Sequence, residues 1–244
     1  HQMLRYSSEF GFLGKHGAKA KTAGTADDNN SGHDGKANEV DETVRQIKRS
    51  FRMFMNGVAS GSMREKGLDY KINWGIPVTR LREMASQYEP SAALAEALWK
   101  SDVRECKIMA TMLMPAEQFT ETAAKAWLSE CGNQETVEML VFNLIQNASC
   151  AAGLMPWLLT AGTPNESLAA FHLMSRLVAK NGVDSFITDE IANDYACLAA
   201  RVLGGGDGVL KHAALNSVVR YVDRGLKGAD LVVEMLKKHK IDIF

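Results

Sequence analysis

Cations at helical spacing are the chemistry-bearing residues that recur along this chain. Arg45, Lys48, Arg49 and Arg52 lie three and four residues apart, so a helix through them gathers one basic face. Lys71, Arg80, Arg82, Arg104 and Lys107 make a second group, and Lys211, Arg220, Arg224 and Lys227 a third. Such a set can follow a nucleic-acid backbone, one cation to a phosphate, or can be a solvated helix surface paired with acids. Glu190 and Asp194 share a helical face and read either as a cation site or as exposed charge. His172 and His212 have no partner at nucleophile or ligand spacing and read as packing residues. Cys106, Cys131, Cys150 and Cys197 form no CxxC and have no histidine at ligand spacing, which argues against zinc and against a disulfide framework. Gly204-Gly205-Gly206 lacks both the strand before and the Lys-Ser/Thr after that a phosphate loop needs, and reads as a helix stop. Neither a metal nor a cofactor is expected.

The elements that must position these groups are helices. Of 244 residues, 46% are hydrophobic and 23% charged. Beyond residue 40, Ala, Leu, Met, Glu and Lys dominate, while Val/Ile/Thr runs of period two are missing, so the fold class is all-α. A net charge of -1 excludes a protein that coats nucleic acid through bulk charge and leaves room for a local basic face. From Asp41 to Lys107 there are 12 Lys/Arg against 9 Asp/Glu, and from Gly208 to Phe244 7 against 4. Between Ile108 and Asp207 the balance reverses to 4 against 11, so a DNA-binding face requires those acids to lie on the convex side. Apolar runs such as Ile108 to Met114 are too short for a bilayer and no secretory signal is evident; a cytoplasmic protein without a membrane segment is expected.

Residues 1–38, rich in Gly, Ala, Asn, Asp and Lys, read as a disordered leader, and a single helical domain is expected over 41–244. Asp41 is placed as the cap of the first helix, with Val44, Ile47, Phe51, Phe54 and Val58 on its apolar face. In LAEALWKSDVRECKIMATML, Leu94 to Leu113, two short amphipathic stretches meet at a Ser101-Asp102 corner that recaps the chain. Neither can hide its stripe alone, so further pairs must stack beside them. Second helices then start near Asp102, Asn133 and Asn165, a spacing of 31 and then 32 residues, with a later start near Asp207. NQETVEMLVFNLIQN is expected to be one helix to Asn147, and Pro156 to lie near the centre of another.

The stretches FRMFMNGVASGSMREKGLDYKINWGIPVTRLREMASQYEP and ALWKSDVRECKIMATML, with a Gly-Ile-Pro-x-x-x-Leu-Arg turn followed by Leu-Trp-x-x-x-x-x-Glu, resemble the DNA alkylation repair proteins, the AlkD-like HEAT-repeat DNA glycosylases. The resemblance covers roughly residues 51–113 and implies HEAT-like helical hairpins forming a curved α-α superhelix, with a basic concave face that holds duplex DNA. It implies hydrolysis of the N-glycosidic bond of N3- or N7-alkylated purines. A cationic base is already a good leaving group, so aromatic faces and one carboxylate suffice and no metal is needed.

In active members of that family a Trp precedes the catalytic Asp by four residues, and an Arg follows about one hairpin later. Here the matching positions read Gln134 and Glu138, and the arginine stretch falls on Leu168-Ala169-Ala170. The resemblance therefore makes Glu138 the candidate catalytic carboxylate, with Arg176 and Trp157 as nearby substitutes for the missing groups. Arg45, Lys48, Arg49, Lys71, Arg80, Arg104, Lys107, Lys211, Arg220 and Arg224 are the candidate DNA contacts: the first three as the densest basic helix face, the next four because the family turns cations of these second helices toward the groove, and the last three as a clasp for the far end of a duplex. The alternative is a non-catalytic repeat module that binds DNA or a protein partner.

Overall fold

The computed structural model describes residues 31–180 and 184–243. Twelve α-helices carry the described residues: α1 Ser31–Phe51, α2 Gly57–Glu65, α3 Val78–Ala85, α4 Ala92–Trp99, α5 Arg104–Leu113, α6 Glu121–Ser129, α7 Gln134–Met139, α8 Met155–Thr160, α9 Pro164–Ala179, α10 Asp189–Leu203, α11 Gly208–Asp223 and α12 Ala229–Lys238. Among the described residues the only strand-like feature is an isolated parallel bridge between Ile72 and Val103. The chain is all-α, as its composition predicts.

Most starts are set by a side chain that satisfies a free backbone N–H. Ser91, Thr120, Asn133, Thr188 and Asp207 each accept from the first turn that follows. Thr163 and Glu166 form a capping box, so α9 begins at Pro164, one residue before the expected Asn165. Four further expectations are corrected. Asp102 does not cap α5; its carboxylate is ion-paired to Lys71 at 2.8 Å, and Val103 stands at the cap without a side-chain bond. α1 starts at Ser31, ten residues ahead of Asp41, because Lys36, Ala37 and Glu39 are helix formers that extend it into solvent without needing a packed face. Residues 1–30 of the expected leader lie outside the described residues. Pro156 sits in the first turn of α8, where its missing N–H costs nothing, with a 3₁₀ turn over Ala152–Leu154 before it. The stretch from Gln134 to Asn147 is not one α-helix. α7 ends at Met139, Leu140–Leu144 wind as a π-helical segment, and Ile145–Asn147 close as a 3₁₀ turn.

Packing sorts the helices into two layers. α3, α5, α7 with its π-helical extension, α9 and α11 follow one another in an inner layer, while α1, α4, α6, α8, α10 and α12 lie outside them. The hairpins α4–α5, α6–α7, α8–α9 and α10–α11 each contribute one helix to each layer, the arrangement of an α-α superhelix. One contiguous core runs from Ile47 to Leu236. Trp99 and Trp127 stack at 4.3 Å between α4 and α6, and Tyr195 stacks on Tyr221 at 4.7 Å between α10 and α11.

Neighbouring hairpins are also tied by hydrogen bonds that span one repeat. Lys71 reaches Asp102, the Trp74 amide reaches Glu105, Trp99 reaches Glu130 and Arg104 reaches Glu135, each pair 31 residues apart. The repeat period predicted from helix starts is thus also the period of a polar ladder. Gly75 is fixed by this register. Its φ is +72°, and a Cβ there would meet the Asn56 carbonyl oxygen at 2.2 Å.

Candidate functional site

The start of α7 rests on a buried polar network. Arg104 is 1% exposed and spends its guanidinium inside the protein: Nε and Nη2 donate to the two oxygens of Glu135 at 2.8 and 2.7 Å, and Nη1 donates to the Ile76 carbonyl at 2.8 Å and to Glu105 at 3.1 Å. Glu105 in turn accepts from the backbone N–H groups of Trp74 and Ile76. The Tyr70 hydroxyl donates to Glu135 at 2.8 Å, and burial pushes its pKa well up. This network gives the resemblance its physical content, because the glutamate of Leu-Trp-x-x-x-x-x-Glu pins the Gly-Ile-Pro turn. It also overturns Arg104 as a DNA contact, since a guanidinium with every face committed to carboxylates and a carbonyl has nothing to offer a phosphate.

One turn into α7, Glu138 stands half-buried on the inner layer. Gln134 Nε2 donates to its Oε1 at 2.8 Å. His172 Nε2, on α9, lies 3.2 Å from the same oxygen and donates to it, because an ionised carboxylate only accepts. Burial opposes the charge, but these two bonds and the imidazole's field outweigh it and hold the Glu138 carboxyl below its ordinary range. Both bonds end on Oε1. Oε2 has no hydrogen-bond partner among the described residues.

The π-helical turn next to it sends consecutive side chains to different neighbours. Phe142 packs edge-on against His172, with centroids 4.9 Å apart, and the Arg176 guanidinium lies 4.4 Å from the Phe142 ring. Asn143 donates to Thr111 at 2.9 Å and accepts from Arg82 at 3.3 Å. Glu138, Phe142, His172 and Arg176 therefore form one cluster. His172 is more than the packing residue its sequence surroundings predict: its partner is 34 residues away and meets it only where α7 and α9 lie side by side. Trp157 does not enter the cluster: it sits on α8 in the outer layer, 5.3 Å from the Lys125 ammonium.

The remaining cations are mostly exposed. Lys71, Lys107 and Lys48, distant in sequence, converge on Asp102; the Lys71 bond holds that carboxyl below its usual range, with help from Lys107 and Lys48. Lys107 also donates to the Trp99 carbonyl at 2.8 Å. Arg45 and Arg49 pair with Glu42, and Arg80 with Glu83 while its guanidinium covers Phe54. Arg220 is exposed, Lys211 half-buried, and Arg224 donates to the Val178 carbonyl at 2.5 Å. The acids of the central stretch divide between the layers, with Glu138 on the inner one. Glu121, Glu130, Asp189, Glu190 and Asp194 lie on or at the end of the outer helices α6 and α10, Glu166 and Asp207 serve as caps, and Glu135 is taken by Arg104. Burial pushes the Cys106 thiol up to about 11, as expected of a core cysteine. Among the described residues no group of three His, Cys, Asp or Glu could hold a metal ion, and no helix is long and apolar enough to cross a membrane.

Residues 42–152 match the family model for DNA alkylation repair enzyme. A solved structure described as a new family of proteins related to the HEAT-like repeat DNA glycosylases with affinity for branched DNA structures has the same fold, with a TM-score of 0.67 at 11% identity over 80% of this chain and 82% of that one. No curated protein matches the chain. The hairpin stack is a HEAT-like α-α superhelix, and its first half, residues 42–152, is similar to the DNA alkylation repair enzyme family.

Proposed function

We propose that the protein binds DNA along its inner layer and hydrolyses the N-glycosidic bond of N3- or N7-alkylated purines, with Glu138 as the catalytic carboxylate. The observation that carries this reading is the Glu138 side chain itself: ionised, steadied through Oε1 by Gln134 and His172, and open at Oε2. In the reaction the C1′–N bond breaks and its electron pair leaves with the base, cancelling the positive charge of the alkylated ring. The sugar becomes an oxocarbenium cation that an anion at Oε2 stabilises, and water adds to C1′ and gives up its proton. His172 acts through Glu138 by fixing its orientation. Lys71, Arg80, Lys107, Lys211 and Arg220 supply phosphate contacts.

Release of N3- or N7-methylated purine from a labelled duplex tests the proposal. Release by the protein that falls at least about 100-fold in Glu138→Gln supports it; release unchanged by that substitution overturns the role of Glu138. A second reading, structure-directed DNA binding without excision, is favoured by Gln134, which hydrogen-bonds Glu138 where an aromatic face would stabilise a cationic base, and by the branched-DNA affinity of the structurally similar protein. Binding to a branched junction in preference to a linear duplex, with no base release from either, selects it.

A further inference from the structure

Beside the Glu138 cluster lies a cleft that the excision chemistry does not use. It has a volume of about 540 Å³ and opens between the end of α3, the end of α5 and the π-helical segment. Met112, Leu113 and Phe142 give it apolar walls, and Tyr88 an aromatic one. Arg82 and Asn143 stand on one side and Glu89 on another. Arg82 is exposed and makes one hydrogen bond, at 3.3 Å to Asn143, so most of its donors face solvent. The volume falls in the range of roughly 300–1,000 Å³ that small-molecule sites occupy. Its lining pairs a cation with aromatic side chains, the combination that holds one base by stacking and its phosphate by charge. A carboxylate such as Glu89 accepts from an exocyclic amino group and so favours a base that carries one. Phe142 is shared: its ring also contacts His172, so an occupant of the cleft sits one helical turn from the carboxylate.

We propose that this cleft holds a single unpaired nucleotide of bound DNA, its phosphate at Arg82 and its base against Tyr88 and Phe142. A paired base cannot enter, because its stacking neighbours and its partner occupy the faces the cleft would cover. The proposal rests on the DNA-binding reading above and adds to it a preference for duplexes with an extrahelical base.

The test uses the full chain and duplexes containing 2-aminopurine, either paired or as a one-nucleotide bulge, with fluorescence and affinity both followed. The bulged probe is expected to bind at least about 10-fold more tightly than the flush duplex and to lose fluorescence as its base stacks, while the paired probe changes little. Tyr88→Leu, which keeps apolar bulk but removes the ring, should abolish the loss of fluorescence, and Arg82→Gln, at an exposed position, should remove the preference. Equal affinity for both duplexes, or a loss of fluorescence that persists in Tyr88→Leu, overturns the cleft proposal and leaves DNA binding intact. Failure to bind either duplex at low salt overturns both.

Discussion

Arg104 shows how one side chain can look like a surface cation and be a core component. At the first position of an inner helix it has the spacing of a phosphate contact, yet its guanidinium joins Glu135, Glu105 and the Ile76 carbonyl. Arg104→Ala is expected to cost about 3–5 kcal/mol in urea unfolding, because two carboxylates are left buried without a counter-charge. Lys71→Ala, which removes an exposed ion pair, should change stability by no more than about 1 kcal/mol. The spacing of 31 residues between Arg104 and Glu135 equals the repeat period, so the pairing was in principle legible once the helices were aligned; a single chain offers no sign of which of its charges are buried. Glu138 was legible through family resemblance alone. Its partner was not, because a contact between residues 138 and 172 exists only when two inner helices adjoin.

At the scale of elements, the hairpin rhythm was readable and the fine breaks were not. Apolar spacing and cap residues located the starts of α4, α6, α7 and α9 to within a few residues, since each of these caps is a local side-chain-to-backbone bond. The π-helical turn at Leu140–Leu144 has no sequence signal because its residues are ordinary helix formers; tertiary contacts of Phe142 and Asn143 with different neighbours accompany it. The Gly-Ile-Pro turn is the element on which α2 and α3 meet. Gly75→Ala is expected to destabilise the protein by at least about 2 kcal/mol, as both its positive φ and its approach to the Asn56 carbonyl forbid a side chain. Gly67→Ala, with φ +84° and open space around it, should cost only the backbone strain, about 1–2 kcal/mol. Thermal unfolding of the two variants side by side checks the difference.

For the whole molecule, the near-neutral charge conceals a division of labour between layers. Of the acids that dominate the centre of the sequence, Glu121, Asp189, Glu190 and Asp194 lie on outer helices, Glu166 and Asp207 in caps and Glu135 in the buried network, while Glu138 stands on the inner face. If this face carries DNA, affinity must fall with salt, and the slope counts phosphate contacts at about 0.9 each. Lys71→Gln and Arg220→Gln are each expected to reduce the slope of log affinity against log salt by about 1 while changing stability by no more than about 1 kcal/mol; an unchanged slope removes that residue from the interface.

The polar ladder has a further consequence, for how such a chain can change in length. Because its rungs join positions one period apart, an insertion inside a hairpin would slide every donor past its acceptor, whereas a whole added hairpin would bring its own rungs. Shorter insertions are confined to places the ladder skips. The stretch between the start of α9 at Pro164 and the start of α11 at Gly208 is such a place, longer than the period that precedes it and lengthened by α10, where growth of the chain leaves the alignment at Glu138 untouched.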